Sequence, residues 1–164
     1  MSGNLSKKMH NTRVMFPSSS GGHITEILQL KKLFAAYEYL IVTEDLPLNK
    51  KILAGMNVEY VKPNGMNRNF VFWKNFIVNW FLALKLIIQF RPHVIVTTGS
   101  HTAVPFCYLG KLFGAKVIFI LSFCRLDSRA KSADLVYPIA DKFFLQWPQM
   151  DKFYKNGIYV GPIF

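Results

Sequence analysis

The sequence predicts an α/β fold built on a doubly wound parallel sheet. Three observations carry that expectation. Short apolar runs alternate with longer amphipathic ones along the chain, a βαβα order. The short runs are rich in β-branched and aromatic residues and lack polar alternation, as strands buried on both faces do. Two of them end alike, in a loop of small residues that opens a helix. In doubly wound sheets such turns meet at the carboxyl edge of the strands, where ligands sit.

Residues 1–12 are polar, contain no apolar signal-peptide core and read as a flexible leader. Residues 13–164 read as a single Rossmann-like domain, since 164 residues suffice for one α/β core and fall short of two. No internal repeat or low-complexity linker divides them. Strand 13–17 stops at Pro17, and helix 22–36 opens after Gly21. Strand 39–43 is the apolar run through Leu40, Ile41 and Val42, and a short helix at 48–54 comes next. Strand 58–62 precedes the longest helical stretch, 70–90. Strand 93–97 leads to helix 102–113, where Pro105 suits a first turn because its missing N–H costs little there. Strands 116–121 and 142–146, a helix at 147–155 and a strand-like run before Gly161 complete the series.

Composition narrows the function. Apolar residues make up 51% and charged residues 18%, which describes an ordered, apolar protein. Twenty Lys and Arg against nine Asp and Glu give +11, so an anionic partner is expected: nucleic acid, an acidic membrane surface or a phosphorylated substrate. The aromatic and aliphatic content favours membrane. The basic residues do not gather on one helix and no reader motif appears, so no nucleic-acid partner is expected. Cys107 and Cys124 both lie in apolar sequence and read as buried, reduced thiols. No zinc-ligand spacing exists, and neither a metal nor a cofactor is expected.

The most informative stretch is Val14, Met15, Phe16 and Pro17, then Ser18, Ser19, Ser20, Gly21, Gly22 and His23. A helix start behind a strand offers backbone N–H groups and a positive dipole end to an anion, and small residues let the backbone approach it. The stretch is neither G-x-G-x-x-G nor a lysine-bearing P-loop. His23 at the helix start is expected to have its pKa lowered by the dipole, leaving it neutral and able to take a proton from a sugar hydroxyl. The plainer alternative is a tight turn with Ser20 as helix cap. Thr97, Thr98, Gly99, Ser100 and His101 repeat the pattern, with His101 either a ligand contact or a solvated helix-start residue. Arg125 and Arg129 come after the next strand at the same edge, and a guanidinium fork suits a diphosphate. The alternative there is a solvated loop with a local Arg–Asp pair.

Helix 70–90 is over-apolar for a crossover helix. Lys74, Asn75, Asn79, Lys85 and Gln89 fall in one arc of about 140° on a helical wheel, and the rest is apolar. Packing on a sheet uses a stripe of roughly half that apolar width, so the excess faces something else. Lys74 and Lys85 leave ten uncharged residues between them, too few for a membrane span. An in-plane interfacial helix is expected, with Phe72, Trp73, Phe76, Trp80 and Leu84 as membrane contacts. Burial against neighbouring helices or a partner protein is the alternative.

Together, three stretches resemble a known family. They are Ser20, Gly21, Gly22 and His23; the run Thr98, Gly99, Ser100, His101, Thr102, Ala103, Val104 and Pro105; and residues 137–147, Tyr-Pro-Ile-Ala-Asp-Lys-Phe-Phe-Leu-Gln-Trp. They resemble the membrane-anchoring subunit of the two-chain dolichol-linked GlcNAc transferase and its bacterial capsule and exopolysaccharide relatives, over about residues 13–164. The resemblance implies the N-terminal, acceptor-binding half of a GT-B glycosyltransferase. A separate donor-binding chain would supply the UDP-sugar, and a polyprenyl-diphosphate-linked sugar would be the acceptor. The protein would sit peripherally at the cytoplasmic face of an anionic plasma membrane and help make a β-linked second sugar in capsule or exopolysaccharide assembly. In that reading His23 handles the proton, and Ser18, Ser19, Ser20, Gly21, Gly22, Thr98, Gly99, Ser100 and Arg125 hold the diphosphate. The sequence departs from the family once: an acid usually precedes the serine after the fifth strand, and here Leu121 precedes Ser122. Either Asp127 replaces that acid or the acid is dispensable. The competing reading is a standalone nucleotide-binding domain with a regulatory or other enzymatic role, for which Glu44 and Asp45 are the acids placed to meet a ribose.

Overall fold

The computed structural model describes residues 11–64 and 70–163. Most of the expected leader therefore lies outside the described residues. Seven strands form one sheet: β1 (Arg13–Pro17), β2 (Glu38–Glu44), β3 (Val58–Val61), β4 (Val94–Thr97), β5 (Lys116–Ile120), β6 (Lys142–Leu145) and β7 (Ile158–Tyr159). Every pairing is parallel, in the order β3-β2-β1-β4-β5-β6-β7. The helices are α1 (Gly22–Gln29), α2 (Lys31–Ala36), α3 (Pro47–Ile52), α4 (Phe70–Phe90), α5 (Val104–Leu112) and α6 (Lys131–Val136), with 3-10 turns at Tyr137–Ile139 and Pro148–Lys152.

The missing polar alternation has its expected cause, because the sheet is buried on both faces. Met15, Leu40, Val42, Ile95, Val117 and Phe119 point into one core with Ala83, Leu86 and Ile87 of α4 and Val104, Phe106 and Cys107 of α5. Their neighbours Val14, Phe16, Ile41, Val96 and Ile120 point into the other, with Ile24 and Ile27 of α1. Successive side chains along a strand thus enter opposite layers. A Cβ at Gly110 would collide with Ile95, so glycine lets α5 press onto β4. Strand order reverses between β1 and β4, which sets the turns after those strands side by side.

Four expectations need correction. Helix 22–36 is two helices: the Leu30 N–H turns back to the Ile27 carbonyl at 2.9 Å and ends α1. The break brings Phe34 of α2 against Phe16 and Tyr39, at 5.0 and 4.7 Å between ring centroids. The expected helix 147–155 is a 3-10 turn. Residues 131–136 form a helix that periodicity missed, being only six residues long. Cys107 is buried, and burial pushes its thiol up to about 12, but Cys124 is exposed.

α4 spans the predicted residues and turns a different face outward. Asn79 accepts the Lys62 N–H and donates to the Lys62 carbonyl, both at 2.9 Å, and Asn75 donates to the Pro63 carbonyl at 2.9 Å. Two of the five residues of the supposed polar face therefore hold the chain just beyond β3. Phe70, Val71, Trp73, Ile77, Phe81 and Ile88 are exposed instead. Phe72, Phe76, Trp80 and Leu84 are only partly exposed, and the Trp80 ring lies 6.5 Å from that of Tyr108. By length and composition α4 suffices to cross a membrane, and 22% of its most apolar window is buried. Its buried side nevertheless belongs to the core, so this helix lies against the sheet.

Candidate functional site

The two small-residue turns meet. The Thr98 hydroxyl donates to the His23 carbonyl at 3.1 Å, and the Thr97 hydroxyl donates to the Pro17 carbonyl at 2.7 Å. Gly99, at φ 113°, brings its backbone so close that a Cβ would stand 3.6 Å from His23 Cε1 and 3.1 Å from Phe119 Cζ. Glycine is required there for both conformation and space. Ser100, next in the chain, is also left-handed at φ 82°, a conformation that ordinary residues hold only when their surroundings enforce it.

A cavity of about 850 Å³ opens where these turns converge. Ser19, His23, Thr98, Ser100 and His101 line one side of it. Ser122, Arg125, Arg129, Lys131 and Ser132 line another, and Phe72, Trp73 and Phe76 of α4 form an aromatic wall. No carboxylate lines it among the described residues. Its polar part is therefore cationic and its α4 wall apolar.

Within the cavity the chemistry centres on His23. Burial lowers its pKa, Arg125 and His101 push the same way, and a hydrogen bond to the Thr98 backbone and the Glu44 charge oppose them in part. The lowering comes chiefly from desolvation, where the sequence suggested a helix dipole. Nδ1 is buried without a hydrogen-bond partner, and so is the Ser100 hydroxyl. A neutral imidazole with an unspent nitrogen can take up a proton. Arg125 supplies an exposed guanidinium, held weakly to Ser128 at 3.4 Å, while Arg129 pairs with Asp134 at 3.0 Å.

Other expected residues stand differently. Ser18 is fully buried; its N–H serves the Val42 carbonyl at 2.9 Å and its hydroxyl the Ser19 carbonyl at 3.1 Å. Ser20 does not cap α1: its hydroxyl and N–H both donate to Glu44 Oε2, at 2.9 and 3.3 Å. Ser18 and Ser20 thus shape the turn and have no free donor for an anion. Gly21, at φ 79°, turns the chain into α1; with Gly22 it is exposed beside the cavity. His101 is half-buried, 3.7 Å from Glu44 Oε1 and 5.6 Å from the Phe72 ring.

Sequence reasoning undervalued Glu44. Its carboxylate is buried at the end of β2, and beyond Ser20 it accepts the Thr102 hydroxyl at 3.1 Å and the Asn64 N–H at 3.3 Å. It ties three loops of the carboxyl edge together. Asp45 pairs with Lys50 at 2.6 Å. Neither acid of the ribose-binding alternative is unspent. The acid beside Ser122 is Glu26, whose Oε1 accepts the Ser122 hydroxyl at 2.7 Å, while Asp127 is exposed. Ser132, whose hydroxyl accepts the Ser100 N–H at 3.2 Å, was also missed, along with Lys131.

Comparison with known proteins identifies the family. Residues 69–163 match the family described as "Oligosaccharide biosynthesis protein Alg14 like". The chain belongs to this Alg14-like family. Relatives named UDP-N-acetylglucosamine transferase subunit ALG14 include that of Mus musculus, 25% identical over 92% of this chain and 82% of the relative. That of Schizosaccharomyces pombe is 28% identical over 94% and 85%. Among solved structures, Acinetobacter baumannii MurG superposes with TM-score 0.69 at 14% identity, over 85% of this chain and 42% of that one. The S. aureus MnaA–UDP structure gives 0.72 at 11%, over 93% and 45%. The chain spans less than half of each of these structures, and at such identity the likeness concerns fold alone. That fold is the Rossmann-like half of GT-B glycosyltransferases and epimerases. The Alg14-like match includes α4, the Arg125 loop and α6, and it starts beyond the His23 turn.

Proposed function

We propose that this protein is the acceptor-binding, membrane-attached half of a two-chain glycosyltransferase that moves a sugar from a UDP-sugar to a polyprenyl-diphosphate-linked sugar. The observation that carries the proposal is the two-sided cavity. Its cationic side suits a diphosphate, and its aromatic wall runs into the exposed apolar stripe of α4, which suits a lipid tail. A soluble nucleotide has no use for that stripe. Family membership and the relatives' description as transferase subunits support a separate donor-binding chain. Their description also makes UDP-GlcNAc the donor we propose.

Ser19, Ser100 and Arg125 face the diphosphate, with Thr98 and Gly99 shaping the wall. The His23 imidazole takes the proton of the attacking acceptor hydroxyl as its oxygen bonds to the sugar C1. The bond from C1 to the UDP oxygen breaks, and UDP leaves with the electron pair on the partner chain. Inversion at C1 of an α-linked donor makes the new bond β. Trp73, Ile77 and Phe81 enter the membrane interface at its cytoplasmic face, with Lys74 and Lys85 beside anionic headgroups. Capsule or exopolysaccharide assembly is the narrower setting we propose.

The test is reconstitution of the full chain with its donor-binding partner in anionic vesicles, with UDP-GlcNAc and either polyprenyl-diphosphate-glucose or polyprenyl-diphosphate-GlcNAc. Transfer that needs both chains, and a partner recovered on vesicles only with this one, is the expected result. If this chain adds neither rate nor membrane recovery, the proposal is wrong.

A further inference from the structure

Glu26 lies on α1, three residues beyond His23, and only 1% of it is exposed. It is absent from the cavity lining, and among the described residues its charge has no basic partner near enough to pair. Burying a carboxyl costs free energy that an apolar residue would avoid, and burial raises its pKa. Its hydrogen bonds show what the carboxyl does. Oε1 accepts the Ser122 hydroxyl at 2.7 Å and the Phe123 N–H at 3.1 Å, across 96 and 97 residues of chain. Ser122 in turn holds two of the next three residues. Its carbonyl accepts the Arg125 N–H at 2.9 Å, and its hydroxyl oxygen accepts the Cys124 N–H at 3.4 Å. One carboxyl thereby joins the helix that carries His23 to the turn that carries Arg125.

We propose that Glu26 is a positioning residue, holding the Arg125 turn against α1 so that the guanidinium and the His23 imidazole converge on one acceptor. The proposal rests on reading the cavity as the acceptor site. The turn is also held by the chain just beyond β6: Gln146, which hydrogen-bonds the Glu26 carboxyl as well, donates to the Leu121 carbonyl at 3.0 Å, and the Trp147 indole donates to the Phe123 carbonyl at 2.7 Å. Those two bonds set the height of the turn above the sheet. Glu26 sets its distance from His23. A glutamine can present the same accepting oxygen, whereas leucine presents none.

The experiment compares Glu26→Gln, Glu26→Leu and Ser122→Ala in the full chain, with Ser122→Ala removing the hydroxyl's bonds to Glu26 and Cys124 without emptying the carboxyl's site. Amide hydrogen exchange over residues 122–126 reads the tie directly, because the Phe123, Cys124 and Arg125 N–H groups belong to it. Acceptor KM and kcat, measured with the partner chain and polyprenyl-diphosphate-sugar, read its consequence. Glu26→Leu should speed exchange and raise acceptor KM, each about tenfold, the order of losing a hydrogen bond to a charged group. Its kcat should stay within about threefold, Ser122→Ala should fall between, and Glu26→Gln should stay near wild type. Unchanged exchange in both Glu26→Leu and Ser122→Ala overturns the proposal. So does faster exchange with unchanged KM while Arg125→Ala raises KM, because the tie is then only structural. A KM indifferent to Arg125→Ala marks failure of the acceptor-site reading instead, and exchange still decides whether the tie exists.

Discussion

The carboxyl and amino edges of the sheet both carry a cavity with basic residues around it, of about 850 and 600 Å³. At the amino edge Arg13, Arg91 and His93 stand over Ile87, Ile88 and Phe113. There the polar groups satisfy one another: Arg13 donates from Nε to the Arg91 carbonyl at 2.9 Å and from its backbone to His93 Nδ1 at 3.0 Å. α4 and α5 also end there, so their last carbonyls present partial negative charge. At the carboxyl edge α1 and α5 begin, and His23 Nδ1 and the Ser100 hydroxyl are buried without partners. Positive side chains alone therefore do not mark an anion site. Helix polarity and unspent polar atoms separate the two edges, and on both counts the carboxyl edge suits an anion better.

The largest test of that contrast is His23→Ala, which should lower turnover by about 10²-fold or more, the scale of losing a general base. In the proposed reaction the neutral imidazole is the active form, so wild-type rate should fall as pH drops through a pKa below the ordinary histidine value. The variant should lack that limb. The linked stability has the same sign: with its folded pKa lowered, His23 costs stability as pH falls below the unfolded value of about 6.5. Near-wild-type turnover would leave the turn a binding element and remove the catalytic half of the contrast.

Much of this architecture is legible in the sequence because it depends on local pattern. Apolar runs without alternation identify strands buried on both faces, and α4 occupies the expected residues. Two small-residue turns and Arg125 could be assigned to one edge because parallel topology sends all of those loops the same way. What was not legible depends on partners far along the chain. A helical wheel counts Asn75 and Asn79 as outward polar residues, yet both are spent on Pro63 and Lys62. Ser20 reads as a cap until Glu44, 24 residues on, claims its hydroxyl. Lys131 and Ser132 sit on a helix too short to show a period.

The rotated face of α4 gives a second, smaller test. Trp73→Ser with Phe81→Ser should lower partition into anionic vesicles by about tenfold or more, since each removes a large side chain from the proposed interface. Trp80→Ser, on the side facing Tyr108, should lower thermal stability and leave partition within about threefold. Flotation assays separate the two outcomes. Equal loss of partition from both would return the membrane face to the orientation expected from sequence.

The smallest effect belongs to the amino edge. Arg91 sits at φ 50°, a left-handed conformation that asparagine tolerates well, so Arg91→Asn removes the charge with little backbone strain. If net charge drew the acceptor, removing any exposed arginine would weaken binding alike. If the carboxyl-edge geometry holds it, acceptor KM should stay within about twofold in Arg91→Asn. Arg125→Ala should raise it about tenfold, as expected for losing a charge-assisted hydrogen bond to a phosphate. Measuring both variants at low and moderate salt strengthens the comparison, because screening shrinks a long-range effect at Arg91 more than a direct contact at Arg125. Equal KM increases would show that the diphosphate responds to overall charge, and the difference between the two edges would then lose its functional meaning.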